Sequence, residues 1–318
     1  MILALAACGA RGPRPGPPLV QVTGFAMGGE LRVIVRCPSL DEREGCTGAA
    51  VAARDEVLRV ERLATDWEPG GEISALNAAA GHDAVAISPE VEALLRVSLA
   101  VSEVTDGAFD PTIGALWGLW DFEQGVIPAP DALAARLPLV DWRVLQVEPG
   151  RAALPREGMA VTLGGVAQGY AAARALEKIP ADYEALVDLS GDLAARGAWS
   201  VGVQDPRGAR GEIVATVRLV DGCLSTAGDY ERAFMRDGVR YHHILDPRTG
   251  LPTGGPWSVT VVHPDCAVGD ALDTALMVTG LEGAPAALSA LGGWALIVDG
   301  SGLHAVGDRS GLRWRRAR

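Results

Sequence analysis

The stretch Gly269-Asp-Ala-Leu-Asp-Thr-Ala-Leu276 sets two carboxylates into a segment that is otherwise almost wholly apolar. The composition of Val268 to Val278 predicts a helix. The four-residue interval puts Asp270 and Thr274 on one face, one turn apart, and Asp273 also sits one turn from Asp270. Three oxygens on one helix flank are compatible with a solvated face. Here Ala271, Leu272, Ala275, Leu276 and Met277 make the helix largely apolar, and a carboxylate on a buried helix requires a partner. Carboxylates plus a hydroxyl are hard oxygen ligands, suited to Mg²⁺ shared with substrate phosphates.

The rest of the chain mixes helices and strands without a regular βαβ rhythm, which favours an α+β fold of mixed, mainly antiparallel sheets with packed helices. Leu31 to Cys37 reads as a strand and Ala49 to Leu63 as a helix with Val57, Val60 and Leu63 on its apolar face. Ser88 caps a second helix with Pro89 at its first position; Val91, Leu94, Leu95, Val101 and Val104 form its expected buried face, and Gly107 ends it. The Pro-rich stretch from Asp121 to Pro155 reads as an interior hinge or subdomain boundary. Ala185 to Leu189, Ser200 to Val203, Ile213 to Val220 and Trp257 to Val262 read as strands. Trp294 to Val306 reads as a hairpin.

Acidic residues outnumber basic ones 40 to 28, a formal charge of -12 over 318 residues. No basic stripe interleaved with aromatics occurs, so nucleic acid is not an expected partner. Beyond the first residues no apolar run approaches the roughly 20 needed to span a bilayer. Leu5-Ala6-Ala7-Cys8 matches a bacterial lipoprotein cleavage box, with Cys8 lipidated and a Gly/Pro tether behind it. No Lys or Arg precedes this run, so a plain apolar N-terminus is the alternative. The expected division is a signal remnant and tether over 1–24 and one domain over 25–318. Without Cys8 four cysteines remain, Cys37, Cys46, Cys223 and Cys266. Their spacing is not that of a zinc site and leaves disulfides and free thiols both open.

Two further stretches carry chemistry. Leu163-Gly-Gly-Val-Ala-Gln-Gly-Tyr170 places three glycines where a strand turns into a helix, either to expose backbone groups to a ligand or to allow tight helix packing. It lacks the dinucleotide G-x-G-x-x-G spacing. Leu224-Ser-Thr-Ala-Gly-Asp-Tyr230 precedes Tyr241-His-His-Ile-Leu-Asp-Pro-Arg-Thr-Gly250. Adjacent histidines on a strand point to opposite faces, so one faces a pocket and the other is structural. A His near Asp229 or Asp246 is placed to act as a general base towards a hydroxyl.

In order, these segments resemble the ApbE family of FAD:protein FMN transferases. Met27-Gly28 is similar to the family's opening motif, and TDWEPGGEISALN at Thr65 to Asn77 to its flavin-contacting loop. Gly107-Ala-Phe-Asp-Pro-Thr-Ile-Gly114 is similar to its FDPT segment, followed by Trp120 and Phe122. LGGVAQGY, the Ser190–Leu193 SGD-Leu run, STAGDY, YHHILDPRTG and GDALDTAL complete the series.

The resemblance implies an FAD pocket of Met27, Trp67, Ala108, Phe109, Asp110, Thr162, Gln168 and Ile244. It implies Mg²⁺ on the backbone carbonyl of Gly165 with Asp270, Asp273 and Thr274. His243 would take the proton from an acceptor Thr or Ser, whose oxygen attacks the FMN-side phosphorus as AMP leaves; Asp229 would orient His243 or bind near the nucleophile. The family pattern differs at Thr162, Gln168 and Ala227. The expected partner is an acceptor protein, a membrane electron-transfer component, and the expected location the periplasmic face of a bacterial inner membrane, through Cys8. FAD hydrolysis to FMN and AMP, or flavin binding without catalysis, are the alternatives.

Overall fold

The computed structural model describes residues 18–308 and 314–317; Cys8 and most of the expected tether lie outside them. Strands β1 (Leu19–Ala26) and β2 (Gly29–Arg36) form a hairpin, so residues 19–24 of the expected tether are strand. Helices α1 (Arg43–Ala64) and α2 (Glu72–Ala78) follow, then the short β3 (Val85–Ala86) and α3 (Pro89–Val104). A 3-10 turn over Pro111–Leu116 leads to α4 (Pro130–Arg136), β4 (Gln146–Glu148) and β5 (Arg151–Ala153). Next come α5 (Ala167–Glu177), β6 (Glu184–Leu189), β7 (Asp192–Gln204) and β8 (Ile213–Gly228). The chain continues through the hairpin β9 (Ala233–Arg236) and β10 (Val239–His242), then β11 (Ser258–His263). It closes with α6 (Cys266–Leu291), β12 (Trp294–Asp299), β13 (Gly302–Gly307) and β14 (Trp314–Arg316).

The main sheet runs β1-β2-β6-β7-β8-β11-β12-β13, with β14 on β8, and every described pairing is antiparallel. The expected α+β class therefore holds. Strand alternation divides the core. Val33, Val35, Val187 and Leu189 pack against Val57 and Val60 of α1 and Ala171 and Ala175 of α5. Ile34 and Leu186, one residue out of phase, join Trp199, Val217, Leu224 and Leu296 in a second cluster.

Helix α3 forms as its sequence requires: Ser88 Oγ accepts from Val91 N at 3.3 Å and Pro89 occupies the first turn. Val91, Leu94, Leu95 and Val101 are buried, whereas Val104, at the last turn, is exposed. The Asp121–Pro155 stretch is not a bare linker, because Leu145, Ala152 and Leu154 are buried with Ile73, Leu94 and Leu163. Ala152 is held in the short strand β5, and Leu145 and Leu154 are anchored from irregular backbone. Stacked pairs Trp120–Phe122 and Phe234–Tyr241 tie the same region to the β9–β10 hairpin.

By length and composition α6 would be able to cross a membrane. It holds Pro285 and breaks at Gly280, where φ is +61°, and its apolar residues Leu272, Leu276 and Met277 pack on Val259 and Val261 of β11. Asp265 caps its start, accepting from Ala267 N at 2.9 Å. The cysteines pair as Cys37–Cys46, tying the end of β2 to α1, and Cys223–Cys266, tying β8 to the first residue of α6. The second bridge spans 43 residues of sequence. Replacing both Cys223 and Cys266 by Ser is expected to lower unfolding free energy by about 3–4 kcal/mol. Denaturant unfolding under non-reducing conditions measures it, and a loss within error of zero would mean that packing alone holds α6.

Candidate active site

The carboxylates of Asp270 and Asp273 meet a third that the sequence did not assign, Asp192 at the first position of β7. One oxygen from each lies within 4.8 Å of the other two. The three residues are only 6%, 4% and 3% exposed for Asp192, Asp270 and Asp273. Asp192 arrives through a two-residue turn: Leu189 pairs with Asp192, and Ser190 and Gly191 both adopt positive φ, +55° and +115°. The signal available in the sequence is the Ser190-Gly191-Asp192 run directly after a buried strand; its partner on α6 is not visible there, because pairing in space is set by the sheet.

Burial, aided by the charge of Asp188, pushes the Asp192 carboxyl up to about 7. Burial and the neighbouring Asp192 hold Asp270 and Asp273 well above the usual carboxylate range, and for Asp273 the charge of Asp270 adds to this. Among the described residues no Lys or Arg forms an ion pair with any of the three, and Asp192 Oδ1 is buried without a hydrogen-bond partner. An all-oxygen, anionic, dry donor set of this kind fits a hard divalent cation.

The glycine turn completes the surroundings. Gly169 N, in the first turn of α5, donates to Asp270 Oδ2 at 2.8 Å, so the positive end of α5 faces the cluster. A Cβ on Gly169 would stand 2.9 Å from Asp270 Cβ and 2.8 Å from the Cys266 carbonyl carbon. Tight helix packing and a backbone donor to a carboxylate therefore coincide at this glycine. Thr274 Oγ1 donates to Asp273 Oδ1 at 3.2 Å. Gly165 stands against it, since a Cβ there would lie 3.4 Å from Thr274 Oγ1 and 3.0 Å from Phe109 Cε2. The four residues expected to hold metal, Gly165, Asp270, Asp273 and Thr274, are thus adjacent.

The expected flavin residues divide. Phe109 packs with Ala271 and Ala275 of α6, and Ala108 is buried beside it in sequence. Met27 and Gly28 are the positive-φ turn of the β1–β2 hairpin, and Gln168 Nε2 donates to Met27 O at 3.2 Å. Thr162 Oγ1 accepts from Gly164 N at 3.2 Å, and Ile244 is buried with Val259 and Leu272. Asp110 serves the scaffold, accepting from Thr112 N and Oγ1 at 2.8 and 2.6 Å and from Trp142 N at 3.1 Å. Trp67 is 74% exposed, away from any buried cluster. Two surface cavities, of about 320 and 430 Å³, lie by Cys223–Cys266 and by Trp257–Gly280, and none of the three carboxylates or His243 lines either.

The two histidines differ in their partners, and His243 lies just past the end of β10. His242, the last residue of β10, has Nε2 2.9 Å from Thr253 O and is structural. His243 donates its backbone N–H to Arg232 O at 3.1 Å, while its ring Nδ1 is buried and unpartnered. Burial first, then the positive charges of Arg232 and His242, pull its pKa down to about 4. It is therefore a neutral imidazole at physiological pH, able to accept a proton. Asp229 does not hold it: its carboxylate is gripped by Arg207 at 2.8 and 2.6 Å, and Arg207 stacks over Trp257. Asp246 is likewise bound to Arg248, at 2.8 and 2.7 Å. A bidentate arginine satisfies each carboxylate within the scaffold.

The sign of the pH effect at the cluster follows from these shifts. An Asp whose folded pKa rises to about 7 stabilises the metal-free protein at low pH and loses that contribution as pH rises through about 7. A divalent cation held there would replace the proton, so it would bind better above that pH. Mg²⁺ at about 100 times its dissociation constant is expected to add about 2.7 kcal/mol of stability at pH 8, and much less at pH 5.5. Thermal melts with and without Mg²⁺ at both pH values test this; equal shifts at both would sink carboxylate coordination.

The model of the ApbE family matches residues 27–298. The FAD:protein FMN transferase of Treponema pallidum (strain Nichols) is 36% identical over 236 residues, which cover 66% of this chain and 65% of that protein. That of Klebsiella pneumoniae (strain 342) is 34% identical over 239 residues, 73% of this chain and 76% of the relative. The crystal structure of the ApbE protein of Thermotoga maritima superposes with a TM-score of 0.80 at 29% identity, covering 95% of this chain and 97% of that one. The flavin transferase ApbE from Vibrio cholerae shares the fold, with a TM-score of 0.79 at 24% identity over 91% of this chain and 96% of its own. A family match spanning most of the chain, on a fold that places the Asp270–Thr274 helix against the Gly165–Gly169 turn, makes this chain a member of the ApbE family.

Proposed function

We propose that this protein is an FAD:protein FMN transferase: it moves the FMN half of FAD onto a Thr or Ser hydroxyl of an acceptor protein and releases AMP. The observation that carries the reading is the pairing, within one family scaffold, of a neutral histidine with three buried, uncompensated carboxylates.

His243 accepts the proton of the acceptor hydroxyl at a ring nitrogen. The freed oxygen forms a bond to the FMN-side phosphorus, the pyrophosphate P–O bond breaks, and AMP leaves with the electron pair. Asp192, Asp270 and Asp273, with Thr274 and the Gly165 carbonyl, would hold the divalent cation, Mg²⁺ in this reading; bound, it neutralises charge that builds on the pyrophosphate. Phe109 and the Met27-Gly28 turn form apolar and backbone walls for the flavin substrate, and Gln168 steadies that turn through Met27 O. His242 and the aromatic cluster of Trp120, Phe122, Phe234 and Tyr241 fix the hairpin from which His243 emerges. Positioning and charge neutralisation carry such a transfer.

The Leu5–Cys8 lipoprotein box and the two cystine bridges support an exported, lipid-anchored protein on the periplasmic face of an inner membrane. A membrane electron-transfer component carrying a Thr-containing segment is the acceptor that this location favours.

Mass spectrometry of a Thr-containing acceptor incubated with the protein, FAD and Mg²⁺ is expected to show an FMN-sized adduct. Asp270→Ala should abolish it, and His243→Ala should slow it by roughly 10²–10⁴, the usual worth of a general base. Free FMN and AMP without adduct would replace the transferase with a hydrolase; intact FAD with every acceptor would leave a flavin carrier. With metal saturating, the rate should hold down to about pH 5 and fall as pH drops through about 4, where His243 becomes charged. A limb near pH 6.5 would show that His243 is not buried during turnover.

A further inference from the structure

We infer that Arg232 is the residue that grips the phosphate groups of the FAD substrate. The inference rests on the transferase reading above.

Arg232 lies in the short link between β8 and β9, and it reaches two parts of the site at once. Its backbone carbonyl accepts the His243 N–H at 3.1 Å. Its side chain extends over the β1–β2 turn, where a Cβ on Gly28 would stand 2.7 Å from its Nη2 atom. Gly28 holds a φ of +79°, so a side chain there would be strained as well as crowded, and the guanidinium occupies the space that the glycine leaves open. The charge is close enough to His243 to help hold that imidazole neutral. Arg232 therefore stands between the Met27-Gly28 turn and the base, where the substrate's reacting end must come.

Two other arginines are claimed by acids. Arg207 is held by Asp229, and Arg248 by Asp246, each through two contacts. Among the described residues the Arg232 guanidinium has no carboxylate within 4.0 Å and no hydrogen-bond partner, and it is exposed. Among the described residues Arg236 and Arg240 of the adjoining hairpin form no ion pair either, and of these three arginines Arg232 is the one that stands against the Gly28 turn and meets the His243 backbone. The planar fork of a guanidinium matches phosphate oxygens in pairs. The isoalloxazine ring offers no such anion, so the contact selects for the phosphorylated substrate over the bare flavin.

The test compares two ligands that differ in phosphate content. Flavin fluorescence titrations with FAD and with riboflavin are run on the wild type, Arg232→Ala and Arg232→Lys, at fixed ionic strength, with Mg²⁺ and with a chelator. Arg232→Ala is expected to weaken FAD at least tenfold while leaving riboflavin affinity and melting temperature unchanged, and Arg232→Lys to fall between. FAD affinity in Arg232→Ala equal to wild type, or an equal loss for riboflavin, would overturn the assignment. A wild type that binds no FAD in either condition would instead overturn the transferase reading, and this one with it.

Discussion

Three carboxylates buried with oxygens within 4.8 Å of one another cannot all stay charged without a counter-charge. In a dry site the choices are to take up protons or to take up a cation, and the rest of the structure is arranged around that choice. Asp270 and Asp273 come from the start of α6, which its Asp265 cap and the Cys223–Cys266 bridge fix to β8. Asp192 comes from a turn whose positive-φ residues leave little freedom in where β7 begins. The first turn of α5 aims a backbone donor at Asp270. The absence of a side chain at residue 169 is what lets α5 approach that closely, so a tight helix contact and the strongest electrostatic demand in the site meet at one glycine.

The two helical carboxylates are legible in the sequence alone, because an apolar helix that carries acids has few physical explanations. Helix α3 is legible for a similar reason: a cap, a proline and an apolar face agree. What the sequence hides is mostly non-local. Asp192 has no periodic signal of its own and acquires meaning only when β7 pairs beside β8 and under α6. Arg207 and Arg232 sit in irregular links where sequence patterns carry no period. The β9–β10 hairpin is hidden because Arg236, Asp237, Gly238, Val239 and Arg240 lack a clear alternation, and cross-strand aromatic stacking holds it instead.

Asp110 and Asp229 show why a carboxylate in a motif is weak grounds for a chemical role. Asp110 has both oxygens occupied by the turn that it caps and by Trp142 N, and Asp229 is closed off by a bidentate arginine that is itself stacked on Trp257. Each satisfied carboxylate fixes a loop. In the cluster Asp270 and Asp273 each accept one hydrogen bond, from Gly169 N and Thr274 Oγ1, and Asp192 Oδ1 accepts none. Occupation of both oxygens is what marks Asp110 and Asp229 as scaffold acids.

The same criterion applies to the basic residues and resolves an apparent conflict between an acidic chain and an anionic substrate. Long-range attraction cannot draw a dinucleotide to a surface whose net charge is -12. Binding must come from local elements: the N-terminal end of α5, a cation on the three aspartates, and any guanidinium that acids have not already claimed. Arg207 and Arg248 are both claimed, and of the arginines without an acidic partner Arg232 is the one that reaches from the Gly28 turn to the His243 backbone. That placement has a second effect, since a nearby cation lowers the pKa of the imidazole and keeps it unprotonated. One arginine side chain thus serves the base and the electrophile together, and the link between β8 and β9 is where those two requirements intersect.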